Sequence, residues 1–305
     1  MKKSRFQRFQ ESRLGYGLVY SPVTLGAAMT IFLIFIGAGF AHWIAPHDPF
    51  DPASLDLMNA GLPPVWMEEG GWRFFLGTDD QGRDIFSTIL YGARISLGVG
   101  FASVLFSLFL GVGLGLIAGY MGGVLDAFIM RIADIQLSFP TILVALLLDG
   151  MARAVLPWEL HDQLALYVLV FSIGISGWTQ YARTVRGSTL IEKNKEYVQA
   201  ARIIGRSRLA IMMYHVLPNV TGPVLVIATI HLAVAIIIEA TLSFLGVGVP
   251  ITEPSLGTLI RVGNDYLFSG QWWITIFPAA VLALLVLSVN ILGDWLRDAL
   301  NPKFR

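Results

Sequence analysis

The sequence predicts an all-α membrane protein with six transmembrane helices. Hydrophobic residues make up 55% of the chain and charged residues only 14%, with a mean hydropathy of +0.67, well above the range of a water-soluble domain. Six long runs are apolar and nearly uncharged. Lys and Arg are also divided unevenly between the connections of those runs, although the net charge is zero.

Residues 1–22 form a basic tail carrying Lys2, Lys3, Arg5, Arg8 and Arg13, followed by the first run, Val23 to Ala45. That order also describes a secretory signal peptide. The run is longer than a signal core, however, and passes into Pro46 and acidic residues without a small-x-small cleavage site, so a retained anchor is expected. Residues 46–93 form a long connection rich in Pro, Asp and Gly, with too few apolar residues for a core of its own. A cap packed on the spans is therefore expected. It ends in LGTDDQGRDIFSTILYGARISL, where Gly77, Thr78, Asp79, Asp80 and Gly82 supply turn chemistry and the apolar stripe after them reads as a helix entering the membrane.

The second run, Ile95 to Tyr120, contains Gly98, Gly100, Ala102, Gly111, Gly113, Gly115, Ala118 and Gly119, small residues that let helices approach closely. The third, Leu137 to Met151, is short of the roughly 20 residues a crossing needs, but helical periodicity begins upstream near Leu125. The fourth is Leu164 to Tyr181 and the fifth Val220 to Leu245. A second outer loop, Gly246 to Trp272, contains Pro250 and Pro254, and the adjacent Trp272 and Trp273 suit a membrane interface. The sixth run is Trp273 to Leu292, and residues 294–305 form a tail. No internal repeat or low-complexity tract interrupts this order.

With six crossings, sixteen Lys and Arg fall on the side of the N-terminal tail and five on the other: Arg73, Arg83, Arg94, Arg153 and Arg261. The positive-inside rule then places both tails and residues 183–218 in the cytoplasm. The absence of cysteine removes disulfides and thiolate metal sites.

Between the fourth and fifth runs lies a basic, non-spanning stretch, Tyr197 to Asn219. Tyr197, Ala200, Ala201 and Ile204 make one apolar helical stripe, and Leu209, Met212, Met213 and Val216 make a second. Gly205 breaks the phase between them, so two short helices meeting at an angle are expected. With Arg202, Arg206 and Arg208 beside the stripes, this is docking chemistry, although a basic amphipathic helix lying on the membrane surface has the same pattern.

Gln199-Ala200-Ala201, Gly205 and Leu217-Pro218 resemble the EAA loop of ABC importer permeases, with Gln199 where that family usually has Glu. Nearly the whole chain resembles the C-type permeases of dipeptide and oligopeptide importers. The resemblance is carried by LGTDDQGRDIFSTILYGARISLG from Leu76, GLIAGYMGGVLDAFIMRIADIQLSFPTIL from Gly115, SFLGVG from Ser243 and NILGDWLRDALNPK from Asn290. It implies the type I ABC importer permease fold in a bacterial inner membrane. It also implies a homologous second permease, two ABC ATPase subunits, a periplasmic or lipid-anchored solute-binding protein and a peptide substrate. The sequence has no GxxxxGK[ST] phosphate loop, so ATP is expected on the partner subunits, with no catalytic, cofactor or metal site here and no nucleic acid among the partners. By the same resemblance Tyr197, Gln199, Ala200, Ala201, Ile204, Gly205, Arg206, Arg208, Leu217 and Pro218 are the residues that couple to the ATPase.

Glu239 stands inside the fifth run, where an ionisable group is costly enough to face a wet pathway or an interhelical partner. Asn290 and His231 read as groups joining helices, and Asp134, Asp149 and Asp294 as carboxylates near span ends, within reach of water. A competing reading is an intramembrane serine protease, from Gly174-Ile175-Ser176-Gly177 in the fourth run and His231 in the fifth. Another retains the permease fold and changes the cargo to nickel, glutathione or another small solute.

Overall fold

The computed structural model describes residues 21–51, 56–250 and 253–300. The basic tail, with its five Lys and Arg, and the last residues, with Lys303 and Arg305, lie outside the described residues. Among the described residues the regular structure is helical, apart from one isolated β-bridge between Thr78 and Asp84. The α-helices are α1 Pro22–Gly39, α2 Ala41–Ile44, α3 Ile85–Met121, α4 Gly123–Leu137, α5 Thr141–Val155, α6 His161–Glu192, α7 Glu196–Ile203, α8 Arg208–Ile211, α9 Leu217–Phe244, α10 Leu256–Tyr266 and α11 Trp273–Leu300.

Five of these, α1, α3, α6, α9 and α11, are long and apolar enough to cross a membrane. The third expected span is instead a pair, α4 and α5, bent by 95°. Pro140 explains the break, because it has no N–H to donate and its ring disfavours helical backbone at Phe139. Gln136 secures the bend: Nε2 donates to Ile175 O at 2.7 Å and to Ser176 O at 3.1 Å, while Oε1 accepts from Trp178 Nε1 at 2.8 Å.

Helices α3 and α6 run parallel, since Gly111, Gly115 and Gly119 face Trp178, Ala182 and Arg186 in the same order. Two parallel spans need a return crossing between them, and α4 with α5 is the only chain available to make it. The bent pair therefore counts as the sixth crossing. α3 has 37 residues, about 55 Å of helix against about 30 Å of hydrocarbon, so it extends well past the bilayer. Asp84 starts it, accepting from Ser87 N at 2.8 Å, and Gly122, at φ +67°, ends it.

α3 contributes to all four buried apolar clusters. Ile85 to Leu97 pack with α1, α9, α10 and α11; Val99 and Val104 with α5, α6 and α9; Ala118 with α4 and α6; and Leu116 and Tyr120 with the α6–α9 connection. Its small residues divide by role. A Cβ on Gly111 would lie 2.4 Å from Trp178 O, and one on Gly115 2.5 Å from Ala182 O, so backbone meets backbone there. Gly98 and Gly113 have nothing within 4 Å of that position. At the end of α3 remote from the cap, Arg186 holds the Asp126 carboxylate with two bonds of 2.5 and 2.7 Å, and Arg183 pairs with Asp134, tying α4 to α6.

The cap packs on the spans as expected. Phe74 is buried, Trp273 Nε1 donates to Thr78 O at 3.0 Å, and Arg83 Nε meets Asp79 Oδ2 at 2.6 Å with both side chains buried. The second outer loop is more structured than expected, because Ser255 caps α10 by accepting from Thr258 N at 3.3 Å.

Several boundaries and residues differ from the sequence-based expectation. α6 runs to Glu192 and α11 to Leu300, each well past its apolar run, because polar residues continue a helix once it has left the bilayer. Asp134 and Asp294 are exposed, but Asp149 is fully buried; Oδ2 accepts from Arg153 Nε at 2.7 Å, and Arg153 Nη2 also donates to Gly248 O at 3.0 Å. A buried carboxylate needs such a partner. His231 does join helices, its Nε2 lying 2.7 Å from Gln180 Oε1, whereas Asn290 is on the exposed face of α11.

Gly115→Val is expected to destabilise the detergent-solubilised protein by about 1–3 kcal/mol, the usual cost of overpacking, while Gly113→Ala leaves it unchanged. Thermal unfolding followed by size-exclusion chromatography distinguishes the two.

Candidate functional site

The site begins where α6 ends. Lys193 Nζ reaches Gly119 O at 2.7 Å, joining the end of α6 to the last turn of α3. The chain then turns into α7, whose Val198 and Ala201 are buried against Leu116, Tyr120, Tyr181 and Val185. Ile211, Met212 and Val216 join the same cluster.

Gly205 performs the expected break. It lies at φ +84°; its N–H donates to Arg202 O at 3.0 Å and the N–H of Arg206 donates to Ala201 O at 3.1 Å, the paired bonds of a Schellman helix end. No atom lies within 4 Å of a Cβ built there, so the demand for glycine is conformational. Ser207 restarts the helix, its Oγ accepting from Ala210 N at 3.3 Å.

The second expected helix is not a separate piece. α8 continues through a π-helical stretch, Met212–Val216, directly into α9, so only residues 193–207 stand apart from the long helices. Pro218 supplies the reason: it cannot donate to the carbonyl four residues earlier, and its ring crowds that carbonyl, so a widened turn relieves both.

Packing divides the two predicted stripes. Ala201, Met212 and Val216 are buried and Leu217 is half-buried, whereas Tyr197, Gln199, Ala200, Ile204, Arg206, Arg208, Leu209, Met213 and Pro218 are exposed. Val198 and Ile211, outside the predicted stripes, belong to the inner face. Ile203 and Ile204 are 86% and 79% exposed, and with Leu209 and Tyr214 they form an apolar rim. Beside it a cleft of about 420 Å³ is lined by Arg202, Arg206 and Arg208 with Tyr120, Met121 and Ile211. The Arg202 guanidinium lies over the Tyr120 ring at 5.1 Å, which aims the cleft.

A polar junction holds this element on the bundle. Tyr197 Oη donates to Glu192 Oε1, and Lys195 Nζ meets Glu192 Oε2 at 2.8 Å. Asn219 Nδ2 donates to Tyr197 Oη at 3.1 Å and to His215 O at 2.7 Å. Partial burial and the Glu192 carboxylate push the Tyr197 phenol up to about 12, so it remains a donor at neutral pH. The ends of α6, α7 and α9 are joined through one hydroxyl. Periodicity had no means of finding this junction, whose members are separated along the chain.

Glu239 is fully buried in α9. Ser243 Oγ donates to Oε1 at 2.8 Å, the Ser96 hydroxyl of α3 and the Ser255 hydroxyl at the start of α10 face the same carboxyl, and Oε2 takes no hydrogen bond. Ser176 and His231 line one small cavity, but Ser176 Oγ donates to Ser172 O at 2.6 Å and His231 Nε2 engages Gln180. Each has a partner other than the one a nucleophile–base pair requires.

Residues 111–305 match a family described as "Binding-protein-dependent transport system inner membrane component". The chain is 38% identical to the di/tripeptide transport system permease protein DppC of Pseudomonas aeruginosa over 92% of this chain and 88% of that protein. It is 39% identical to the dipeptide transport system permease protein DppC of Haemophilus influenzae over 94% of this chain and 93% of that one. A chain of the inward-facing MetNI methionine ABC transporter superposes with a TM-score of 0.55 at 20% identity, covering 70% of this chain and 96% of that chain. That likeness shows a shared fold, the type I ABC importer permease fold.

Gly205→Ala is expected to cost about 1–2 kcal/mol, the penalty of a left-handed alanine, and to loosen only the α7 turn. Hydrogen exchange should speed up for amides of residues 196–207 and remain unchanged in α3.

Proposed function

Because the chain belongs to the family of binding-protein-dependent transport system inner membrane components, we propose that it is the permease subunit of an ATP-driven importer of dipeptides and oligopeptides. The cargo rests on one observation: curated relatives that match more than nine-tenths of the chain are named as di/tripeptide and dipeptide permeases. A permease of this class works with an ATPase and a substrate-binding protein. In our proposal the assembly is two homologous permeases, two ABC ATPases and a periplasmic or lipid-anchored binding protein, with residues 183–218 in the cytoplasm as the excess of Lys and Arg predicts. Hydrolysis occurs on the ATPases, and this subunit converts their closure into helix movement.

The exposed rim of Ile203, Ile204 and Leu209 inserts into an apolar groove of the ATPase, and Arg206 and Arg208 meet acidic groups at its edge. The Schellman end at Gly205 makes the element a rigid corner, and the Glu192–Tyr197–Asn219 junction passes its displacement to α6 and α9 together. Two chemical features support this: the apolar residues left exposed beside three arginines, and the second half of the element being continuous with a membrane span.

Purification from the native membrane in mild detergent is expected to recover a second permease and the ATPases. Recovery of this chain alone would refute the assembly, and uptake of nickel or glutathione in place of dipeptides by the reconstituted complex would reassign the cargo. In the same complex Arg206→Glu with Arg208→Glu, or Gly205→Pro, should lower import at least about tenfold while membrane insertion persists, since a like-charge contact costs several kcal/mol and proline cannot adopt the left-handed backbone of Gly205. Normal ATP-dependent import by these variants would contradict the coupling role.

A further inference from the structure

A second cleft opens at the other end of the bundle, far from Gly205, between the outer turns of α3 and α6. Its volume is about 800 Å³, within the range of sites that enclose small organic ligands. The floor is apolar, formed by residues such as Val99 and Val170, and Tyr91 and Tyr167 flank it. The charged groups that line it are Arg94 and two carboxylates, Asp48 and Glu253. Asp48 and Arg94 both lie close enough to the Tyr91 hydroxyl to act on it electrostatically. Arg94 is exposed and makes no ion pair among the described residues.

A cation, two anions and an apolar floor complement a ligand with a carboxylate at one end, an ammonium at the other and side chains between them. We infer that this cleft is a transit site for the zwitterionic backbone of a short peptide, Arg94 taking its carboxylate while Glu253 and Asp48 take its ammonium. The inference rests on the peptide-importer reading given above, which places this end of the bundle outside the cytoplasm. Contact is made with backbone termini only, so side chains of any kind are accepted against the tyrosines and the floor. The site retains a peptide released at the outer mouth until the helices move, and peptide that is not retained escapes after ATP has been spent.

The quantity to measure is dipeptide imported per ATP hydrolysed, in proteoliposomes of the complete transporter with its binding protein. Arg94→Gln should lower that ratio about tenfold, the size of one lost charge-assisted hydrogen bond, while binding-protein-stimulated ATPase activity stays within about twofold of wild type. Arg94→Lys should recover most of the ratio. A fall in import and ATPase in step would show a structural role for Arg94 and overturn the inference, as would an unchanged ratio. An Arg94→Gln effect confined to liposomes containing phosphatidylethanolamine would assign the cleft to a zwitterionic lipid headgroup and overturn it too. If the wild-type complex imports no dipeptide at all, the peptide-importer reading itself fails and this site fails with it.

Discussion

The close approach of α3 and α6 organises the molecule. At Gly111 and Gly115 a single added carbon would fall within 2.5 Å of the α6 backbone, so the two helices meet main chain to main chain. In lipid there is no hydrophobic drive between apolar helices, and dense packing of this kind is a principal source of adhesion. Because the pair is parallel, the chain between them must return across the membrane, and α4 and α5 do so as a bent unit held to α6 by Gln136, Asp126 and Asp134. The other buried clusters assemble on α3 around this contact.

The same helix pair separates the two ends of the protein. At one end α3 and α6 extend beyond the apolar layer and carry the α7 corner, where arginines surround an apolar rim. At the other they splay into a cleft with charges of both signs, to whose lining the cap contributes Asp48 and Phe50. Asp79 with Arg83, and Thr78 with Trp273, let a connection with little apolar content settle as a fixed lid. Tyr197 bonds the α7 corner to both α6 and α9, and α6 also walls the distant cleft.

Buried polar groups in the spans mark where helices are joined. Asp149 is paired with Arg153, His231 engages Gln180, and Glu239 sits among three serines from α3, α9 and the start of α10. His231 and Glu239 join elements distant in sequence, and Arg153, paired within α5, does so by also donating to Gly248 O, as expected where unpaired polar groups have no water to turn to.

Apolar run length was enough to locate five of the crossings and, with the helical periodicity that begins near Leu125, the bent sixth; Gly205 between two apolar stripes was enough to locate the break after α7, since these depend on local chemistry and the thickness of the bilayer. Tertiary structure decided the rest. Periodicity places Leu209 and Met212 on one stripe, yet one is exposed and the other buried, because α3 and α6 cover only part of the stripe. It also decided that α8 continues into α9, that Asp149 is sealed from water, and that Asp48, Arg94 and Glu253 share a cleft. Each outcome depends on which distant helix lies alongside, and no local pattern along a single chain carries that information.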